Sequence, residues 1–225
     1  MSVELRLALQ EERAADLASR VRRLLGPFTG NEVALDAGCG TGSLAFALAP
    51  LVDEVVGVDT RVDYLEAGRA AAPANVRLVE GDVMALPFGY AEFDLACCHR
   101  VLHHVRRPEL AVSELARVTR PGGKLLVADQ LGSVDPLVSL EQDRFERLRD
   151  ATHQRLLPDG DIRGFLDAND LVLVSSDVTR ENVDLEQRLE LAGMSEEERV
   201  RIRGAAPAAS YEIEVGWYVA RKPGV

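Results

Sequence analysis

The chain has 225 residues, 47% hydrophobic and 28% charged, with a formal net charge of −11 at pH 7. That length and composition suit one α/β domain with a sizeable core, and the acidity argues against a protein that grips nucleic acid by its phosphates. Three cysteines, with Cys97 and Cys98 adjacent, exclude a disulfide framework and fit a reducing compartment.

The opening Met1-Ser2-Val3-Glu4-Leu5-Arg6 is charged and lacks an apolar signal region, so a cytoplasmic location is expected. No run approaches the ~18 apolar residues of a membrane span. Residues 3–25 read as one helix, because Leu17, Val21, Leu24 and Leu25 recur at helical spacing and Gly26-Pro27 stops it. That helix either packs on a sheet or closes over a ligand. Apolar runs follow at 33–37, 55–59, 76–79, 93–98 and 124–128, separated by helical segments at 43–50, 61–72 and 108–119. Strands alternating with helices predict a Rossmann-like α/β fold, a parallel sheet with helices on both faces. Ligands of such sheets sit at the carboxyl ends of the strands. Asp36, Asp59, Asp82 and His99 all fall at those ends.

After Asp129 the pattern changes. A charged helix is expected over 140–155, a second over 161–168 and a buried strand over 171–174. One or two short helices are expected within 183–204, where Ser195 and Glu198 form a capping-box signature. Residues 211–220 have strand character and are expected to pair antiparallel at the sheet edge. The stretches 135–157 and 183–207 read as insertions forming a lid on a single domain spanning 1–225.

The block Val33 to Gly42 organises the chain. An apolar run ends in Asp36, glycines follow at 38, 40 and 42, and Ser43 to Ala49 reads as a helix. Glycines supply the positive φ of a tight turn and let backbone approach a ligand. The G-x-G-x-G spacing differs from the pyrophosphate-binding G-x-G-x-x-G, so a nucleoside without phosphates is the better fit. An acid about 20 residues beyond such a turn, here Asp59, can accept hydrogen bonds from both ribose hydroxyls. Asp82, in Gly81-Asp82-Val83, can accept from the amine of adenine or simply close a Gly-Asp turn. Asp36 either holds the loop through backbone amides or reaches the ligand's amino group through water. Cys39 contributes backbone rather than a reactive thiol.

The segment Cys97-Cys98-His99-Arg100-Val101-Leu102-His103-His104 is dense in metal-ligating types, but adjacent cysteines on a strand face opposite ways, so no metal is expected. His99, His103 and His104 are each suited to take a proton from a nucleophile, or simply to cap or fill the loop.

Taken in order, these blocks resemble the motifs of the class I S-adenosylmethionine-dependent methyltransferases of type 11. They are Asp36 to Gly42, Val58-Asp59, Gly81 to Phe88, Phe93-Asp94-Leu95, Leu102-His103-His104-Val105 and Leu115 to Leu125. The group is similar to the ubiquinone and menaquinone biosynthesis methylases, and the resemblance covers about residues 30–130. It implies a seven-stranded, mostly parallel sheet with a reversed last strand. It also implies S-adenosylmethionine as cofactor, with S-adenosylhomocysteine as product. The methionine moiety would lie against Gly38, Cys39 and Gly40, the ribose on Asp59, the adenine near Thr60, Asp82 and Val83, and His99 beside the sulfonium. His104 is the first candidate base and His103 the second, while Arg149, His153 and Arg155 are candidate acceptor contacts. Thr60-Arg61 replaces the group's common Ser-Pro pair. The resemblance implies methyl transfer to a small-molecule acceptor, with no nucleic-acid partner. The alternatives are a non-catalytic S-adenosylmethionine-binding protein and, disfavoured by the glycine spacing, a nicotinamide oxidoreductase.

Overall fold

The computed structural model describes residues 3–191 and 194–224; residues 192 and 193, within the expected second insertion, lie outside the described residues, as do 1, 2 and 225. In chain order the elements are α1 (Val3–Leu25), β1 (Val33–Ala37), α2 (Ser43–Leu48), β2 (Glu54–Asp59), α3 (Val62–Arg69), β3 (Val76–Glu80), β4 (Phe93–His99) and α4 (Pro108–Val118). They continue with β5 (Thr119–Gln130), α5 (Pro136–Arg149), α6 (Asp159–Asp167), β6 (Val172–Asp184), α7 (Leu185–Leu191), α8 (Glu196–Ala205) and β7 (Ser210–Arg221).

The strands form one seven-stranded sheet in the order β3-β2-β1-β4-β5-β7-β6. The pairs along β3 to β5 are parallel, and β7 runs antiparallel to both β5 and β6. The sheet is thus mostly parallel with a reversed last strand. One expectation is corrected: the final strand lies inside the sheet, between β5 and β6, and β6 is the edge. Its run from Val215 to Ala220 is buried on both faces, which an edge strand would not require.

Strand alternation divides the core into two layers. On one face Leu35, Val56, Ala96, Cys98 and Leu125 pack against Val112 and Leu115 of α4 and Ile162 of α6. On the other, Ala34, Val55, Leu95, Cys97 and Leu126 pack against Leu17, Val21 and Leu25 of α1 and Leu44 and Leu48 of α2. Cys97 and Cys98 therefore serve opposite layers, both fully buried with their thiols pushed well up by that burial.

The charged helix begins and ends earlier than 140–155. Asp135 caps it, its Oδ1 accepting from Leu137 N (2.8 Å) and Val138 N (3.3 Å), with Pro136 in the first turn. Arg149 ends the helix, so His153 belongs to the following loop. Phe145 of α5 shares a small separate core with Leu185 and Leu189 of α7 and Ile202 of α8. The two expected insertions are thereby packed on each other. No helix among the described residues is long and apolar enough to cross a membrane.

Candidate active site

The turn after β1 is built from backbone. Gly38 N and Cys39 N both donate to Val58 O, at 2.7 and 2.9 Å, which ties the loop to the end of β2. Gly38 has φ +79°, and a Cβ there would lie 2.3 Å from Val101 Cγ2. Both the left-handed backbone and the close approach require glycine. Gly38→Ala is expected to lower unfolding stability by about 3 kcal/mol, or roughly 6–12 °C in Tm for a chain of this size. A thermal melt unchanged from wild type would contradict this.

Two acids brace that turn. Asp36 is buried and accepts from Ala45 N at 2.9 Å, so it anchors the first turn of α2 from below. Burial pushes its carboxyl up to about 7, against the pull of the Ala45 N–H. Between pH 4 and 7 the folded protein therefore holds a proton that the unfolded chain has released, and Asp36's contribution to stability declines as pH rises through that window. Asp36→Asn is expected to flatten this decline relative to wild type in urea unfolding series across pH 4 to 7; parallel curves would refute it. Asp59 accepts from Gly40 N (2.8 Å, Oδ2) and Arg61 N (2.9 Å, Oδ1). It thus stands directly beneath the glycine loop at the end of β2.

At the carboxyl ends of the strands lies a cavity of about 380 Å³. Of the residues singled out in the sequence, Asp36, Gly38, Cys39, His99, His103, His104, Arg149 and His153 line it. Gly40, Asp59, Thr60, Asp82 and Val83 lie outside that lining. Gly40 is linked to the cavity wall through Arg6, whose guanidinium stands 2.7 Å from where a Gly40 Cβ would be. Asp82 Oδ1 accepts from Met84 N at 2.8 Å, the geometry of a closed turn, and Val83 is buried in the core. Arg155 also lies outside that lining; it is exposed and pairs with Asp161 at 3.5 Å. Helix α1 packs on the sheet, with Leu17 and Val21 in the core, while its Arg6, Gln10 and Arg13 line the cavity. Gln10 Oε1 accepts from Thr41 Oγ1 at 2.5 Å and joins that helix to the glycine loop.

Residues 35–127 match the sequence model of a family described as a methyltransferase domain. The "uncharacterized methyltransferase YcgJ" of Bacillus subtilis (strain 168) is 35% identical over 125 residues, 54% of this chain and 49% of that one. A demethylmenaquinone methyltransferase of Renibacterium salmoninarum is 37% identical over 114 residues, 49% of this chain and 47% of that one. The chain's matched part spans about half the length of these curated relatives. The solved structure of YcgJ superposes with a TM-score of 0.86 at 22% identity, covering 94% of this chain and 100% of that one. The structure of the Bacillus halodurans C-125 protein BH2331 gives a TM-score of 0.82 at 25% identity, covering 94% and 99%.

The chain has the Rossmann-like fold of the class I methyltransferases, and its residues 35–127 resemble a methyltransferase domain.

Within this fold three histidines meet where β4 and β5 end. The rings of His103 and His104 are 4.0 Å apart, and His103 and His153 are 5.8 Å apart. Each has its own acid. His103 Nδ1 is hydrogen-bonded to Asp129 Oδ1, and His103 N donates to Asp129 Oδ2 at 3.2 Å. His104 Nδ1 meets Thr152 Oγ1 at 3.0 Å, and that hydroxyl is held by Asp150 Oδ1 at 2.6 Å. His153 Nε2 meets Asp143 Oδ1 at 2.8 Å.

Their electrostatics differ. Burial and the neighbouring His103 push His104 down to about 4. Burial, with Arg100 and Arg6, pushes His99 down to about 3. Burial raises the Asp129 carboxyl, but the neighbouring His103 and the hydrogen bonds from His103 and Gln130 N outweigh it and hold it below its ordinary value. Cys39 is buried, and its thiol is pushed far up by that burial and by Asp36 and Asp59, so it has no nucleophilic character. Among the described residues no group of three or more His, Cys, Asp or Glu is placed to hold a metal ion.

Sequence reasoning missed Asp129, Asp150, Arg6, Arg13, Arg100 and Arg188. Asp129 carried a usable signal, because it closes a strand as Asp36 and Asp59 do. The others come from elements whose approach to the cavity is a tertiary fact.

Proposed function

We propose that this chain transfers a methyl group from S-adenosylmethionine to a hydroxyl or nitrogen of a small-molecule acceptor, with His103 as general base. The observation that carries this reading is that one cavity joins the glycine loop to the His103–Asp129 pair.

The glycine loop and Asp59 are the residues that fit the cofactor. The Gly38–Gly40 turn offers backbone with no Cβ on either glycine, and Asp59 has lone pairs beyond the two that its N–H partners occupy. Asp59 would hold the ribose hydroxyls, Gly38 and Gly40 the methionine moiety, and Thr60, Asp82 and Val83 the adenine. His99, kept neutral, places no positive charge beside a sulfonium. Bound S-adenosylmethionine supplies an already activated methyl group. The protein's tasks are then to align the acceptor and exclude water, and alignment can be worth about 7 kcal/mol or more. Helix α1 roofs the cavity, and the packed insertions α5 and α7–α8 would act as its lid.

His103 is preferred to His104 as base. Asp129 accepts from Nδ1, which fixes the proton there and leaves Nε2 free to take one from the acceptor. His104, pushed down to about 4, has little affinity for a proton. His104→Ala is accordingly expected to reduce turnover by less than about tenfold, well short of what a general base contributes. The test of the whole reading is acceptor-dependent release of S-adenosylhomocysteine across a small-molecule panel. Cofactor binding with no release on any acceptor would instead favour a non-catalytic binding protein.

A further inference from the structure

The cavity's lining runs against the chain's net charge of −11. Seven arginines and five acids line it. Most of these arginines have an acid. Arg100 Nη2 lies 2.5 Å from Glu181 Oε1, and Arg13 Nη1 lies 3.4 Å from Glu181 Oε2. Arg149 donates through Nε to Glu146 Oε2 at 3.0 Å, and Glu146 also accepts from Gln130 Nε2 at 3.3 Å. Arg188, projecting from α7, makes no hydrogen bond or ion pair among the described residues.

Burial, the charges of Arg149 and Arg13 and, more weakly, Arg100 push the Arg188 guanidinium down to about 10, partly offset by Tyr211. It is still charged at neutral pH. Glu181 feels its charge, but that carboxylate already serves two arginines. A half-buried guanidinium that lines the cavity without an acid of its own gains a charge-assisted contact from an oxyanion brought to it. Arginine presents a planar fork suited to two-point contact with such a group.

We propose that Arg188, with Arg149 beside it, forms an oxyanion subsite for the acceptor, so that the molecule methylated carries a carboxylate or phosphate group. This rests on the methyl-transfer reading. The donor's own carboxylate would be served elsewhere: the glycine loop follows β1 and has Arg6 across it, whereas Arg188 follows β6, the edge strand four places away in the sheet. The subsite also shares its cavity with His103, so an anion held there keeps the rest of the acceptor near the base.

The test is a calorimetric titration of the full chain, saturated with S-adenosylhomocysteine, with benzoate, phenyl phosphate and neutral benzamide. At least one anionic probe is expected to bind about tenfold or more tighter than benzamide, the strength of one charge-assisted hydrogen bond. Arg188→Met is expected to abolish that preference while leaving affinity for S-adenosylhomocysteine within about twofold; Arg188→Gln serves if the methionine variant does not fold. Equal binding of all three probes by wild type, or a preference that survives in the variant, overturns the proposal. So does an anion preference that survives while cofactor affinity falls, because Arg188 would then serve the donor. If wild type binds no S-adenosylhomocysteine at all, the methyl-transfer reading fails, and the same titrations without it still read the anion preference.

Discussion

Asp59→Ala is expected to weaken S-adenosylhomocysteine binding by about two orders of magnitude. The carboxylate would make two charge-assisted hydrogen bonds to the ribose, each worth about 1.5–3 kcal/mol when the alternative is an unpaired group. It also holds Gly40 N at 2.8 Å and Arg61 N at 2.9 Å, so its removal frees the loop against which the methionine moiety would lie. Asp59→Asn keeps an oxygen for one N–H and loses the charge, so its loss should be smaller, about tenfold. Calorimetry on variants whose melting is unchanged separates binding from folding. An Asp59→Ala protein that binds as tightly as wild type would remove ribose recognition from this residue.

His103→Ala is expected to lower kcat by about 10²–10³-fold, within the range of general-base catalysis, with cofactor affinity unchanged. Asp129→Asn should cost a comparable factor, because the buried carboxylate on Nδ1 is what leaves Nε2 available. The double variant should then lose little beyond either single one, since the two act as a unit. Turnover measured with an acceptor found by product release tests this. Strictly multiplicative losses, or full turnover in His103→Ala, would dissolve the pair as a base.

Much of this arrangement was legible in the residues, and the misses have physical causes. The central strands announced themselves as apolar runs because parallel strands are buried on both faces. Strand β6 runs ten residues beyond its expected end at Val174, and it was missed because an edge strand with one exposed side carries no apolar signal. Strand β5 begins at Thr119 and passes through Pro121-Gly122-Gly123, which reads as a turn; its pairing with β4 shifts register there, between Phe93 and Leu95. The early start of α5 was signalled by Asp135-Pro136, a cap and first-turn pair. The glycine turn and the acids closing β1 and β2 were readable because their spacing is local. The preference for His103 over His104 was not, because Asp129 reaches His103 across 26 residues of sequence. The arginines of α1 and α7 carried no sequence signal, since helix-surface arginines are ordinarily solvated.

The most direct measurement is calorimetric titration of the full chain with S-adenosylhomocysteine, with NADH run in parallel. Saturable one-to-one binding, displaced by S-adenosylmethionine and indifferent to NADH, is the predicted result. No heat with the sulfur nucleoside, or binding of NADH in its place, would contradict the assignment of the glycine loop and Asp59 to a methyl donor.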